Sequence, residues 1–419
     1  MRICMFVTNE VTRDPRVSRH AETLGAMGHE VIVVCPMSQT TASLEQRELY
    51  AIRRYQAFVS LRDIFIHPMR RYGRSPEPRK DESSKSLRYP PSNILRVVLS
   101  AMKAILVRLV AYPMYLTWTL WKVGREFNAH IYFTNDFDTL LAGVLCAMTS
   151  RPLVHDAHEL WPDQFVGMGV YPVPAIAWLR ILEGILLTRA NVVVTVNEFI
   201  ADELQTRYRI DKPRIILNVP AINDWDTPQR RDRHEASKKI ALYHGLYMFH
   251  RGLENLVSSC EFLEDDITLV LRGYGPNENR LREIGEKFTN VRFDEPVPMR
   301  DLVPVAASTA DIGIVPYLPI NINNYFASPN KLFEYIQAGL PVVGSDLPFL
   351  RKIIIGSGIG YVFDPHNPRS IAEAINAATR NGALPTLRNN VLKIRCRYSW
   401  SEEQKELIEI VHELAKSSK

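Results

Sequence analysis

Cysteine is scarce: five in 419 residues, at Cys4, Cys35, Cys146, Cys260 and Cys396. No two stand at the short spacing of a zinc site or a redox couple, and an odd, dispersed set fits a reducing compartment better than a disulfide scaffold. Long hydrophobic runs are missing as well. The apolar start Met1–Val7 passes at once into Thr8-Asn9-Glu10. That is too short for a secretory core, so the expectation is a cytoplasmic protein that folds from its first residues. The stretch Ile94–Trp121 is apolar but carries Arg96, Lys103, Arg108 and Pro113, which argues against a bilayer span. There is no low-complexity tract and no His-Glu-x-x-His pair, and the net charge is only +5. That mild excess does not point to nucleic acid.

What charge there is lies in one place. Between Ala51 and Pro91 ten basic residues, from Arg53 to Arg88, face four acidic ones. A basic stretch beside the amphipathic run up to Trp121 is what an anionic membrane surface attracts. Residues 53–121 are therefore a candidate membrane contact, at the inner face of the cell membrane. The competing reading is a solvated insertion followed by a core helix.

At this length two domains are expected. Ile3–Thr8, Val31–Cys35, Ile131–Thr134, Leu153–His155 and Val192–Val196 read as buried strands. Helical spacing between them (Val17–Met27, Leu140–Met148, Ala177–Leu187) makes βαβ units and a parallel sheet. A second series runs from Ile240–Tyr243 through Thr268–Arg272, Val291–Phe293, Ile312–Val315 and Val342–Gly344 to Gly360–Val362. The fold class is thus α/β, with two doubly wound Rossmann-like domains over 1–218 and 219–399, joined within Val219–Ser237. The last apolar-periodic run, 400–416, either closes the second domain or returns to the first. Ligands of such sheets bind beyond the carboxyl ends of strands, so two facing sheets imply a cleft between them.

One strand end stands out. Ile312–Val315 runs through Pro316-Tyr317-Leu318-Pro319 to Ser328-Pro329-Asn330, and a helix is expected to open at Lys331. Ser328 reads as its N-cap and Pro329 as its first residue. Free N–H groups there attract phosphate, Lys331 adds charge, and Glu334 one turn on suits the two hydroxyls of a ribose.

The stretch Ser328–Val343 resembles the donor-binding signature of GT-B fold, family 4-type retaining glycosyltransferases. Asp14-Pro15-Arg16-Val17, Gly28-His29-Glu30-Val31, Val194–Asn197, Asn218-Val219-Pro220, Tyr243-His244-Gly245, Arg251-Gly252-Leu253 and Arg272–Pro276 follow in the family's order. The resemblance spans Met1 to about Asp364. It implies sugar transfer from a nucleotide-diphosphate donor (UDP-, GDP- or other) to a hydroxyl acceptor, with retention and no obligatory metal or cofactor. It also assigns Glu334 to ribose, and Arg251 with Gly245 and Ser328–Lys331 to the diphosphate. His158 falls beside the reacting sugar.

Two positions depart from the family's pattern. Phe326 stands where relatives carry a second carboxylate, and Leu246 where they often carry a basic residue. Contacts to the sugar or base then fall to Asn323, Asn324, Tyr325, Arg272 and Tyr274, and the missing cation to His244, His250 or Arg272. On the acceptor side the candidates are Arg13, Arg16, Asp136, Asp156, Glu159 and Asp163. His155 reads as a packed strand-end histidine, and His155-x-x-His158 lacks the third ligand that zinc needs. The loop Thr8–Arg16 contains no glycine, unlike that of many relatives. The acceptor class suggested is a lipid-linked or cell-surface glycan precursor. The rival readings are a catalytically silent nucleotide-binding subunit and a nucleotide-sugar epimerase on the same fold.

Overall fold

The computed structural model describes residues 1–11, 14–37, 41–56, 110–148, 150–168, 170–221, 238–380 and 382–417. Arg13, the basic stretch beyond Gln56 and most of the expected join lie outside them. Two compact units form, Met1–Asp156 with Phe165–Val192, and Ala157–Gln164 with Val193–Ser417.

The first sheet is built from β1 (Arg2–Phe6), α1 (Pro15–Ala26), β2 (Glu30–Met37), β3 (Leu44–Gln46), β4 (Ala51–Gln56), α2 (Tyr112–Phe127), β5 (Ile131–Asn135), α3 (Phe137–Ala147), β6 (Leu153–Ala157), α4 (Val173–Leu187), β7 (Val192–Thr195), α5 (Glu198–Tyr208) and β8 (Arg214–Ile215). Its strand order is β3-β4-β2-β1-β5-β6-β7-β8, with the edge strand β3 antiparallel to β4. The order around β1 follows from the chain: β1 to β2 winds one way and β5 onward winds the other, which leaves a switch point between β1 and β5. Residues 3–6 of β1 and all of β5 are buried, as strands covered on both faces must be.

The second sheet repeats the scheme with β9 (Lys239–Leu246), α6 (Leu253–Ser258), β10 (Ile267–Tyr274), α7 (Glu278–Gly285), β11 (Val291–Asp294), α8 (Leu302–Thr309), β12 (Ile312–Val315), α9 (Ile322–Tyr325), α10 (Asn330–Gln337), β13 (Val342–Ser345), α11 (Pro348–Ile354), β14 (Gly360–Phe363), α12 (Pro368–Thr379), α13 (Ala383–Ile394) and α14 (Trp400–Ser417). The order is β11-β10-β9-β12-β13-β14, so its switch point lies between β9 and β12.

The strands expected from the sequence are present with ends within three residues of those expected, and Ile312–Val315 is reproduced without a shift. Among the described residues seven elements lacked a signal: β3, β4, β8, α5, α9, α11 and α13. β4 reads Ala-Ile-Arg-Arg-Tyr-Gln, and its charges hide a strand that pairs with β2 from Ile32↔Ala51 to Met37↔Gln56. Helix α14 docks on the chain around β8. Trp400 N–H donates to the Pro220 carbonyl (3.1 Å), and Glu403 accepts from Leu217 N–H (2.7 Å). Arg214 pairs with Glu406, Glu409 and Glu413, which share one helix face at three- and four-residue spacing.

Candidate functional site

At the second switch point the sheet ends in two tyrosines. Tyr243 lies on β9, Tyr317 lies just past β12, and the Lys331 ammonium sits 5.0 and 5.4 Å from their ring centres. Arg251 stacks on the other ring partner, its guanidinium 4.2 Å from the Tyr317 centroid. Both rings hold cations over their faces, a favourable arrangement in a desolvated place. Gly245 has φ +130°, which a side chain would resist, and its missing Cβ would stand 3.7 Å from Lys331 Nζ. Two cations thus converge above a bare backbone. Burial pushes the Lys331 ammonium down to about pKa 7, the neighbouring Arg251 pushes it the same way, and Glu334 opposes them.

Helix α10 supplies the lysine. It opens at Asn330, one residue before the expected Lys331, and its cap is Pro329, one residue after the expected Ser328. Ser328 is therefore no N-cap: its Oγ is buried without a hydrogen-bond partner among the described residues, and no side chain caps the first turn. An uncapped helix start that carries Lys331 in its first turn leaves oriented N–H groups of the kind that attract anions.

One turn on, Glu334 Oε2 meets His244 Nε2 at 2.7 Å. His244 is buried, and its ring lies 4.6 Å from that of Tyr335. The Tyr335 hydroxyl accepts from His244 N–H (3.0 Å) and donates to the Leu242 carbonyl (2.9 Å), which ties α10 to β9. Gly313 makes room for this ring, because a Cβ there would come within 2.2 Å of it. The His244–Glu334 pair and the Tyr243–Tyr317 box were not expected as a unit. Their only signal is position, at or next to the carboxyl ends of β9 and β12.

Most of the chain matches two family models. Residues 14–220 fit the glycosyl transferase 4-like domain, and residues 238–381 fit the glycosyl transferases group 1 domain. The chain is a GT-B glycosyltransferase of the family 4 type. A glycosyltransferase of Methanocaldococcus jannaschii, itself uncharacterised, is 23% identical over 73% of this chain and 83% of its own. The phosphatidyl-myo-inositol mannosyltransferase of Mycobacterium leprae is 26% identical over 36% of this chain and 40% of its own. Among solved structures, sucrose-phosphate synthase from Thermosynechococcus elongatus superposes with a TM-score of 0.70 at 16% identity, covering 100% of both chains. Anabaena HepE in complex with UDP-glucose superposes at 0.66 with 14% identity, covering 99% of this chain and 100% of that one.

In this glycosyltransferase several candidate residues are engaged elsewhere. Arg272 is buried and bonded to Asp294 (3.1 Å) and Thr309 (3.4 Å), while Tyr274 is exposed. The Asp294 carboxyl, although burial pushes it up, is held below its usual range by hydrogen bonds from Arg292 and Arg272. Phe326, in place of the carboxylate, stacks on Phe199 (5.8 Å between centres), and its carbonyl accepts from Asn197.

The asparagine-rich segment meets the loop after β6. Asn323 accepts from Leu160 N–H (2.9 Å) and donates to Glu159 (3.1 Å), and Asn321 donates to the Gln164 carbonyl (3.3 Å). The fold therefore bonds Asn323, expected near the donor sugar, to Glu159, expected near the acceptor. Asn324 donates to the Leu318 carbonyl (3.1 Å), Tyr325 is exposed, and His158 on the same loop is half-buried. Asp163 is fully buried against Arg207, which also grips Glu203.

In the first unit Arg16 holds Asp156 in a bidentate pair (2.8 and 2.7 Å), both buried. His155 bonds Thr134 Oγ1 at 2.9 Å in the strand core. Asp136 precedes α3 with φ +63°, and its N–H donates to the Asp156 carbonyl. Among the described residues no cluster of three His, Cys, Asp or Glu side chains is arranged to hold a metal.

Proposed function

We propose that this glycosyltransferase takes its sugar from a nucleoside-diphosphate sugar and retains the anomeric configuration. The observation that carries the proposal is the cation pair over bare backbone at the second switch point, next to the uncapped start of α10. In this reading Arg251, Lys331 and the N–H groups of the first turn of α10 bind the diphosphate, with Ser328, Pro329 and Asn330 shaping that turn and Gly245 admitting the ligand. Glu334, steadied by His244, accepts from the ribose. Positive charge and oriented N–H groups there stabilise the charge that grows on the leaving diphosphate. His158 stands by the reacting sugar, and Tyr325 and Tyr274 remain as contacts to sugar or base. The bond from the anomeric carbon to phosphate oxygen breaks as the bond to the acceptor oxygen forms. The departing phosphate takes the acceptor proton on the same face.

The acceptor proposed is a hydroxyl on a lipid-linked or cell-surface glycan precursor, with the protein at the inner face of the cell membrane. The phosphatidyl-myo-inositol named in the mannosyltransferase relative supports that class. A second reading, a nucleotide-binding subunit without turnover, is favoured by Phe326 and by the exposed apolar Leu246. Incubation with a panel of UDP- and GDP-sugars separates the readings. Release of nucleoside diphosphate supports transfer, binding without turnover supports the silent subunit, free epimer supports an epimerase, and no binding at all overturns all three.

A further inference from the structure

Right-handed crossovers decide which helices share a face of the first sheet. From β4 to β5, β5 to β6 and β6 to β7 the chain moves in one direction along the sheet, so α2, α3 and α4 lie on the same face. All three run antiparallel to the strands and therefore parallel to one another. Their outward surface is unusually apolar. On α4, Pro174, Trp178, Ile181 and Ile185 recur at helical spacing along one side, with Trp178 53% and Ile181 64% exposed. On α2, Met114 and Trp118 recur four apart and are 67% and 61% exposed. Burying such groups is favourable, and a monomer seldom displays them as a stripe.

The charges around the stripe identify what covers it. The exposed residues of α4 include no acid, and the exposed acid of α2, Glu126, is paired with Arg53. Lys122, Arg125 and Arg189 are exposed at the shared carboxyl end of the helices. At the opposite end the Gln56 carbonyl accepts from the Tyr115 hydroxyl (2.7 Å), so the chain leaves β4 and re-enters α2 at one place. The 53 residues between Gln56 and Val110 carry eleven basic and four acidic side chains in their sequence. An apolar face with indoles, flanked by Lys122, Arg125 and Arg189 at the carboxyl end of its helices, matches an anionic bilayer surface. No helix among the described residues is long and apolar enough to cross a membrane. We infer that the outer face of α2 and α4, centred on Trp118, Trp178 and Ile181, is the surface by which this protein lies on anionic lipid. The inference rests on the reading above only in that a lipid-linked acceptor gives such docking its use.

The test is co-sedimentation of the full chain with phosphatidylcholine vesicles, with and without phosphatidylglycerol, at low salt. The comparison is a Trp118→Ser/Trp178→Ser/Ile181→Ser variant, whose melting temperature is checked against the parent. The parent binds the mixed vesicles and not phosphatidylcholine alone, and the variant binds them about tenfold or more weakly. Equal binding to both vesicle types, undiminished binding of the variant, or no binding by the parent overturns the assignment. So does a parent dimer that the variant dissolves in light scattering, because the face is then a contact between copies. Donor hydrolysis without vesicles is unchanged in the variant. Its absence in both proteins counts against the proposed function and leaves the vesicle result standing.

Discussion

Lys331 holds its proton weakly because it is desolvated between two tyrosines and faces Arg251. Its folded value, about 7, lies below the ordinary lysine value of 10.5. Between these values the unfolded chain binds the extra proton, so this residue's contribution to stability rises with pH across that window. On the reading proposed above, a bound diphosphate restores the charge. Nucleotide binding at pH 8 therefore takes up protons, and affinity falls as pH rises above about 7. Calorimetry in buffers of different ionisation enthalpy measures the uptake; in Lys331→Met it disappears, and if it persists another group is responsible. Glu334→Ala is expected to weaken UDP or GDP binding by about ten- to a hundredfold, the worth of one or two hydrogen bonds to a charged group. A variant that binds nucleotide normally would remove the ribose role. In the first unit, Asp156→Ala leaves the buried Arg16 uncompensated and should cost about 3–5 kcal/mol in urea unfolding.

At the scale of elements, α10 is fixed less by its own sequence than by what it leans on. It has eight residues and no side-chain cap. A helix that short is marginal alone, so packing must hold it. Leu332, Phe333, Tyr335 and Ile336 are fully buried, and the Tyr335 hydroxyl satisfies two backbone groups of β9. Tyr335→Phe leaves both buried groups unpaired, with an expected loss of about 1–3 kcal/mol and a lower melting temperature. Nucleotide affinity should fall with it, because Lys331 and Glu334 ride on the same helix. Helix α14 is held by a buried stripe of Leu407, Ile410, Val411 and Leu414. Ile410→Ala should cost about 2–5 kcal/mol by denaturant unfolding, whereas Arg214→Ala, on a half-exposed ion network, should cost about 1 kcal/mol or less.

Across the whole molecule, two sheets repeat one winding order, and each has a switch point. Nucleotide at a hundredfold over its dissociation constant should add about 2.7 kcal/mol to the stability of the part that binds it. Hydrogen exchange with UDP or GDP should show protection around Gly245, Tyr317 and 330–334. Protection confined to β1–β6 would relocate the donor. Much of this architecture is legible in the sequence: continuous apolar runs mark buried parallel strands, and β5, β6, β12 and β13 announce themselves that way. The order of motifs carries the family. β4 was hidden because its arginines obscure the alternation, and β8 because two residues leave no period to read. Local chemistry decided the strands and helices, since periodicity and turn residues act over a few neighbours. Only the tertiary structure decided that Asn323 bonds Glu159, that Arg16 is spent on Asp156, and that two tyrosines 74 positions apart flank Lys331. Those partners are distant in the chain, and nothing short of the folded sheet order brings them within hydrogen-bonding or stacking range.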